Sequence, residues 1–322
     1  MSLLIRKEQF EKSRIVYESA KLTFLGVEGF DVYNVSIPFN WKEKTYIYGR
    51  VERRSEWARS WVRLFEQTGK DEWTLVPDSM IYQLEDPYIS IIHKELVMGG
   101  THVRYRQHHP ETYFGYFYKG TDLEDLYYFT TGPEYMKDIR LVEMAEGKIG
   151  VFSRPRNEEV RKQFGSESMI GFTVINSLDE LTSDLVENAP YIPGLFGKDE
   201  WGGCNQAYFL ESGNIGVIGH ICYKSFEEDG QMKQVYMNFS FVLDVQQHIA
   251  LDQKIIGTRA CYPAGPAKRP ELTDCAFTSG IIMREDGKCD LYSGIGDTEA
   301  GRIVIDYPFD GHGRIVTKRE EG

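Results

Sequence analysis

The chain has 322 residues, of which 41% are hydrophobic, and a formal net charge of −12 from 49 acidic and 37 basic residues. That charge disfavours nucleic acid or an anionic membrane as a partner, and an anionic small ligand would require a local basic cluster. No run reaches the roughly 20 apolar residues that cross a bilayer. The N-terminus lacks a signal-peptide pattern, and five cysteines without zinc-like spacing predict reduced thiols in a cytoplasmic protein.

In chain order, residues 4–20 are predicted to form a helix, after which helical periodicity largely disappears. Short apolar runs separated by Gly, Asn, Asp and Pro then predict strands. These strands are 22–25, 32–37, 45–51, 61–65, 73–76, 88–97, 101–106, 112–118, 138–144, 149–152, 169–175, 204–210, 215–223, 235–243, 275–283, 290–293 and 302–305. Residues 177–188, with leucines at helical spacing, predict a short helical insertion on the surface. Gly99-Gly100 and Gly202-Gly203 are interpreted as turns, because neither fits the G-x-G-x-x-G pattern of nucleotide-binding loops.

The predicted strands fall into sets that recur along the chain. Counted from Tyr33, the sets open at Asp86, Lys148, Cys204 and Asp274, at intervals of 53, 62, 56 and 70 residues. About five repeats of several short strands favour an all-β protein, a β-propeller formed by one domain over residues 1–322 with 1–20 as a lead segment. A pair of β-sandwiches is the alternative. In a propeller the strand openings converge on a central, funnel-shaped active site, which would collect these polar residues: Asn34, Asp86, Arg154, Asn205, Gln206 and Asp274.

The stretch Glu85-Asp86-Pro87 stands directly before an apolar run that alternates like a strand. Proline is tolerated at the first residue of a strand, where its missing N–H leaves no gap in the ladder. Asp86 is therefore expected to be held rigidly at the mouth of a strand, a position suited to a catalytic acid. An acidic turn is the alternative interpretation.

Five short motifs resemble those of glycoside hydrolase family 130, the mannoside phosphorylases, and occur in the same order along the chain. They are Glu85-Asp86-Pro87, Lys137-Asp138, Arg154-Pro155, Gly219-His220 and Asp297-Thr298. A closer similarity is to a sister group, glycosyltransferase family 108, also known as the domain of unknown function 1861 group. It is carried by Asp31-Val32-Tyr33-Asn34, Gly49-Arg50-Val51-Glu52 and Gly203-Cys204-Asn205-Gln206. Tyr88 stands where family 130 usually has arginine, which favours the sister group. The resemblance implies a propeller of five blades.

The chemistry of a phosphorylase differs from that of an inverting hydrolase in one respect. The hydrolase needs a carboxylate base to activate water, whereas phosphate is already a nucleophile and needs a cationic cradle. The resemblance implies Asp86 as the proton donor, acting through a sugar hydroxyl, with phosphate held by Arg154, His220 and Lys137. The candidate mannoside contacts are Asn34, Arg50, Glu85, Asp138, Asn205, Gln206 and Asp297. Each of several candidates also has an interpretation without a role in the site. Arg154 could be a surface arginine, His220 a core histidine, Lys137-Asp138 a solvated pair and Asp297 the cap of a turn.

The resemblance thus implies an inverting β-1,2-mannoside phosphorylase that transfers mannose between a β-mannoside and phosphate, with mannose 1-phosphate as the product or donor. Its partners would be a mannose-containing oligosaccharide and phosphate or a sugar phosphate. No cofactor and no metal are expected, because cationic side chains would stabilise the transferring anion. Two alternatives stay open: a GDP-mannose-dependent β-1,2-mannosyltransferase, and a non-catalytic sugar-binding propeller.

Overall fold

The computed structural model describes residues 2–227 and 230–316, which are built mainly of β-strands. The strands are β1 Glu18–Lys21, β2 Thr23–Leu25, β3 Asp31–Tyr33, β4 Phe39–Trp41, β5 Lys44–Glu52, β6 Trp61–Gly69, β7 Glu72–Leu75, β8 Glu85–Ile92, β9 Glu95–Arg106, β10 His109–Gly120, β11 Tyr127–Glu134, β12 Arg140–Glu143, β13 Ile149–Ser153, β14 Gly171–Ile175, β15 Trp201–Phe209, β16 Ile215–Phe226, β17 Met232–Asp244, β18 Ile249–Gly257, β19 Ala276–Met283, β20 Cys289–Ile295 and β21 Glu299–Ile305.

Helices are few and short. The α-helices are α1 Leu3–Ser13, α2 Glu158–Phe164 and α3 Ser183–Glu187, and 3-10 turns cover Ala145–Gly147, Leu178–Glu180, Arg259–Cys261 and Pro270–Leu272. Within the described ranges, no helix is long and apolar enough to cross a membrane.

The strands of the described ranges form five sheets that follow one another along the chain. Their strand orders are β2-β7-β6-β5-β3 with β4 added at β5, β11-β10-β9-β8, β12-β13-β14, β15-β16-β17-β18 and β1-β21-β20-β19. All neighbours are antiparallel except β2 and β7. Because each sheet is a chain of hairpins, its strands are mostly consecutive in sequence.

The five sheets contact each other in a closed cycle. Strand β5 contacts β8, β8 contacts β12, β12 contacts β15, β15 contacts β19, and the last sheet returns to β3. A separate apolar cluster lies between each neighbouring pair of sheets. Strand β1 joins the last sheet through β21, while β2, which follows it directly, joins the first sheet through β7. This all-β arrangement fits a β-propeller.

Three sequence-based predictions of local structure are wrong. The N-terminal helix ends at Ser13 and not at residue 20, because residues 18–21 pair with β21 and close the ring of sheets. The strand predicted over 88–97 is interrupted by a turn at His93 and Lys94, whose φ angles of 51° and 68° suit a tight hairpin. The paired glycines lie inside strands: Gly99-Gly100 in β9 and Gly202-Gly203 in β15.

Two outer strands, β11 and β18, were not predicted. Both mix exposed and half-buried residues and so lack a clear apolar alternation. The predicted helical stretch at 177–188 does contain a 3-10 turn and α3, but it is not a free surface insertion. Leu178, Leu181 and Val186 are buried in the cluster between the second and third sheets.

Candidate active site

A cavity of about 300 Å³ opens where all five sheets meet, which is at the lower end of the range for small-molecule sites. Its wall contains eight of the residues predicted for the site: Asn34, Arg50, Glu85, Asp86, Lys137, Arg154, His220 and Asp297. Four lysine or arginine residues besides Arg50 also reach the wall, against four carboxylates. The local balance is therefore cationic although the whole chain is acidic, which is the reversal that an anionic ligand requires.

The adjacent carboxylates Glu85 and Asp86 are both held by one guanidinium. Arg50 donates from Nη1 to Asp86 Oδ1 at 3.0 Å and from Nη2 to Glu85 Oε1 at 2.9 Å. Asn34 Nδ2 donates to the same Asp86 oxygen at 2.9 Å, and Lys137 Nζ lies 3.8 Å from the other. All except Lys137 are buried, so these contacts are made largely out of water.

The two neighbours consequently differ in acidity. Burial opposes charge on Asp86, but Arg50 and Lys137 outweigh it and hold the pKa of Asp86 below its ordinary value. For Glu85, burial outweighs Arg50 and raises the pKa. Burial also raises the pKa of Asp297, a third carboxyl in the wall. Any proton held by this trio in the free protein therefore resides on Glu85 or Asp297 before Asp86.

An unusual backbone conformation turns several polar side chains towards the site. Asn34, Asp86, Asp138 and Asp297 have φ angles of 45°, 49°, 58° and 55°, the left-handed region that Asn and Asp enter at the lowest cost among non-glycine residues. Asp86 also lies within a bulge, since the register between β8 and β9 shifts between Glu85 and Tyr88. Bulges re-aim side chains, and Pro87 can occupy one without breaking the ladder.

Arg154 directly follows β13 and belongs to the same cavity wall as Asp86. Its Nε donates to the Gly202 carbonyl at 2.7 Å, and its Nη1 donates to Asp138 Oδ2 at 2.7 Å. Nη2 has no protein partner within residues 2–227 and 230–316, so this nitrogen is available to a ligand. Despite burial, Arg154 and Arg140 hold the pKa of Asp138 far below its ordinary value. Asp138 is thus a fixed anion that orients Arg154.

His220 on β16 is fully buried beside Arg154. Its Nδ1 lies 2.7 Å from Asn205 Oδ1, which can only accept, so Nδ1 carries a proton. Burial, reinforced by Arg154, lowers the pKa of His220 well below its ordinary value. The ring is therefore neutral, and Nε2, which has no hydrogen-bond partner in the described ranges, is an acceptor. Nε2 is buried in the free protein, 4.0 Å from Asp138 Oδ2, so a ligand hydroxyl reaches it only if the side chains around it shift.

Gly203 makes the close approach of Arg154 and His220 possible. A Cβ atom at this position would lie 2.8 Å from Arg154 Cδ and 2.9 Å from His220 Cε1, both too short. Sequence reasoning missed this role because it placed the glycine in a turn. A glycine inside a strand is itself a signal of close approach.

Four predicted residues do not line the main cavity. Asp138 lies behind Arg154 with no exposed side-chain surface. Asn205 and Gln206 line a smaller adjoining cavity of about 10 Å³, enough for a single water. Asp274, expected in the funnel, instead pairs with Lys7 of α1 at 3.0 Å.

The side chain of one buried arginine packs on Tyr88, the residue that stands where family 130 usually has arginine. The Arg140 guanidinium lies over the Tyr88 ring, 4.7 Å from its centroid, and Arg140 Nε donates to the Asn205 carbonyl at 2.8 Å. Tyr88 thus packs under a buried arginine, and its hydroxyl has no hydrogen-bond partner in the described part of the chain. Sequence reasoning also missed Trp57, Arg156 and Arg269, which reach the wall from loops.

Residues 8–311 match the family described as protein of unknown function (DUF1861). The chain belongs to this family. It is similar to two solved Leishmania mexicana structures: a mannose phosphorylase in complex with a phosphate ion, and a GDP-Man-dependent mannosyltransferase. The first is 52% identical with a TM-score of 0.92, covering 98% of this chain and 96% of the other. The second is 46% identical with a TM-score of 0.91, covering 98% and 97%.

Solved structures with lower sequence identity are similar to this chain in fold alone. A glycosyl hydrolase from Bacteroides ovatus is 14% identical with a TM-score of 0.56, covering 89% of this chain and 87% of that one. A search of curated proteins gave no match. In residues 2–227 and 230–316, no three or more His, Cys, Asp or Glu side chains are grouped as a metal site.

Proposed function

We propose that this member of the family is an inverting β-1,2-mannoside phosphorylase, with a five-bladed propeller as its single domain and the cavity as its central, funnel-shaped site. The observation that carries the proposal is that one strongly held acid, Asp86, shares a single cavity with the cations Lys137, Arg154, Arg156 and Arg269. The similarity to a mannose phosphorylase bound to phosphate supports it. The substrates are a mannose-containing oligosaccharide and phosphate.

In the proposed reaction a phosphate oxygen attacks the anomeric carbon of the terminal mannose. The bond to the leaving sugar oxygen breaks, and mannose 1-phosphate forms with inverted configuration. Arg154 and Lys137 neutralise the phosphate, while the neutral His220 ring accepts a hydrogen bond from the phosphate hydroxyl at Nε2. Asp86 supplies the proton of the leaving oxygen through a sugar hydroxyl.

The low pKa of Asp86 in the free protein fits an ordered process. Lys137 lies 3.8 Å from Asp86 and helps to keep it ionised. A phosphate anion bound at Lys137 would offset that positive charge and raise the pKa of Asp86. Phosphate binding therefore shifts Asp86 towards its protonated form, while Arg50 remains in contact with it. The buried, unpaired cysteines support a reducing compartment, which we propose to be the cytoplasm.

A second candidate is transfer of mannose from GDP-mannose, supported by the 46% identity to a mannosyltransferase.

The experiment that tests the phosphorylase is incubation with mannose 1-phosphate and mannose, with released phosphate as the readout. Wild type should release phosphate, Asp86→Asn should lose about 100-fold or more of the rate, and Asp274→Asn outside the cavity should retain it. Turnover of GDP-mannose with no release from mannose 1-phosphate would replace the phosphorylase by the transferase.

A further inference from the structure

Two loops from different sheets meet at the mouth of the cavity. Trp57 lies in the loop between β5 and β6, and Arg269 lies in the segment that leads to β19. The Arg269 guanidinium lies over the Trp57 ring, 3.8 Å from its centroid. Trp57 is 41% exposed, and both residues belong to the cavity wall. A large aromatic side chain left in water at a cavity mouth is a feature of ligand sites.

The Trp57 loop is held firmly although its tip is exposed. Buried Glu52 accepts from the Arg59 N–H at 2.7 Å, and the Tyr105 hydroxyl donates to the Trp57 carbonyl at 2.8 Å. Ala58, between the two anchors, has a φ of 56°, a conformation that a non-glycine residue adopts only when its surroundings impose it. The indole is therefore positioned before any ligand arrives, which reduces the entropic cost of binding.

The same buried carboxylate holds the opposite loop. Lys268, next to Arg269, forms an ion pair with Glu52, and its backbone N–H donates to the Gly296 carbonyl at 2.8 Å. Glu52 thus ties together the two segments that carry Trp57 and Arg269. We call the pair Trp57–Arg269 the rim clamp.

We propose that the rim clamp binds a neutral hexose unit of the oligosaccharide, the second unit after the reacting mannose, which mannose as an acceptor lacks and β-mannobiose provides. This inference rests on the proposed function. If phosphate occupies the wall formed by Lys137 and Arg154, the remainder of the glycan must leave on another side of Asp86. The rim clamp provides an aromatic face for the apolar face of a pyranose and a planar fork of N–H donors for its hydroxyls.

The test compares acceptors of different length in synthesis from mannose 1-phosphate. In Trp57→Ala, the KM for β-mannobiose or β-mannotriose should rise about tenfold, while the KM for mannose 1-phosphate and the rate with mannose change less than about twofold. Trp57→Phe should restore most of the loss. Tyr127→Ala, which removes a 52% exposed aromatic outside the cavity, is the matched control.

Binding measured without turnover separates this inference from the proposed function. β-Mannotriose should change the tryptophan fluorescence of wild type. In Arg269→Ala the Kd for β-mannotriose should be about tenfold weaker, and this variant keeps the test available if Trp57→Ala does not fold. Equal losses for mannose and longer acceptors, or a fluorescence response to GDP and none to β-mannotriose, would overturn the rim clamp as a hexose site. Absence of turnover with a normal response to β-mannotriose would overturn the phosphorylase alone.

Discussion

Arg154 Nη1 lies 2.7 Å from Asp138 Oδ2, and neither side chain is exposed to solvent by more than 2%. Asp138 therefore fixes the direction of the Arg154 guanidinium and leaves one nitrogen, Nη2, free for the proposed phosphate. A lysine cannot reproduce this arrangement, because its single ammonium lacks the planar fork of donors.

Arg154→Lys is accordingly expected to weaken phosphate binding. Loss of a charge-assisted hydrogen bond should raise the KM for phosphate about 10- to 100-fold, with a smaller effect on the KM for the mannoside. The measurement is phosphorolysis at varied phosphate concentration. Arg161→Lys, at an exposed arginine in α2, is the matched control and should behave like wild type. An unchanged phosphate KM in Arg154→Lys would remove this residue from the phosphate site.

Arg50→Ala tests the buried charge network. The substitution leaves Glu85 and Asp86 without their shared cation, and an uncompensated buried charge costs about 3–5 kcal/mol. Denaturant unfolding should show a loss of this size in the free energy of unfolding. Arg161→Ala, which removes an exposed guanidinium, should shift the midpoint very little. A loss for Arg50→Ala as small as that of the control would contradict the network.

Gly203→Ala tests the close approach of the phosphate ligands. The added methyl group would push against Arg154 and His220, and overpacking of this kind costs about 1–3 kcal/mol of stability. Because both neighbours belong to the proposed phosphate site, the phosphate KM should rise along with the loss of stability. A stable variant with wild-type phosphate kinetics would show that the contact is relieved without moving either side chain.

The pKa of His220 predicts how stability depends on pH. In the folded protein this pKa lies well below its ordinary value, so below about pH 6.5 the unfolded chain takes up a proton that the folded chain excludes. The contribution of neutral His220 to the free energy of unfolding should therefore be fully present above pH 6.5. As the pH falls below that value, the free energy of unfolding should decline by up to about 1.4 kcal/mol per pH unit.

Thermal unfolding between pH 7.5 and 5.5 measures this effect. The Tm should fall on acidification, and the fall should be smaller in His220→Gln, which cannot take up the proton. His109→Gln, at an exposed histidine, should keep the wild-type slope. Identical slopes in all three proteins would mean that His220 is protonated in the folded state.

The sequence by itself determined most strand positions, through the strand propensity of its apolar runs and the Gly, Asn, Asp and Pro residues between them. The apolar runs predicted most strands, and the spacing of the sets indicated repeated sheets, because a hairpin is specified by residues close together in the chain. Asp86, Arg154 and His220 could be selected because their motifs are local. The outer strands β11 and β18 lacked such a pattern, and the turn at His93 lies within a run that reads as continuous strand.

Only the tertiary structure decided which charges face each other. Arg50 contacts Asp86 across two sheets, Arg269 covers Trp57 from a distant segment, and Asp274 turns to Lys7 of the N-terminal helix. Such contacts depend on how sheets close into a ring and on left-handed backbone turns, not on neighbouring residues. The sequence therefore identifies the chemical groups, and the closure of the ring determines their partners, their acidity and their access to a ligand.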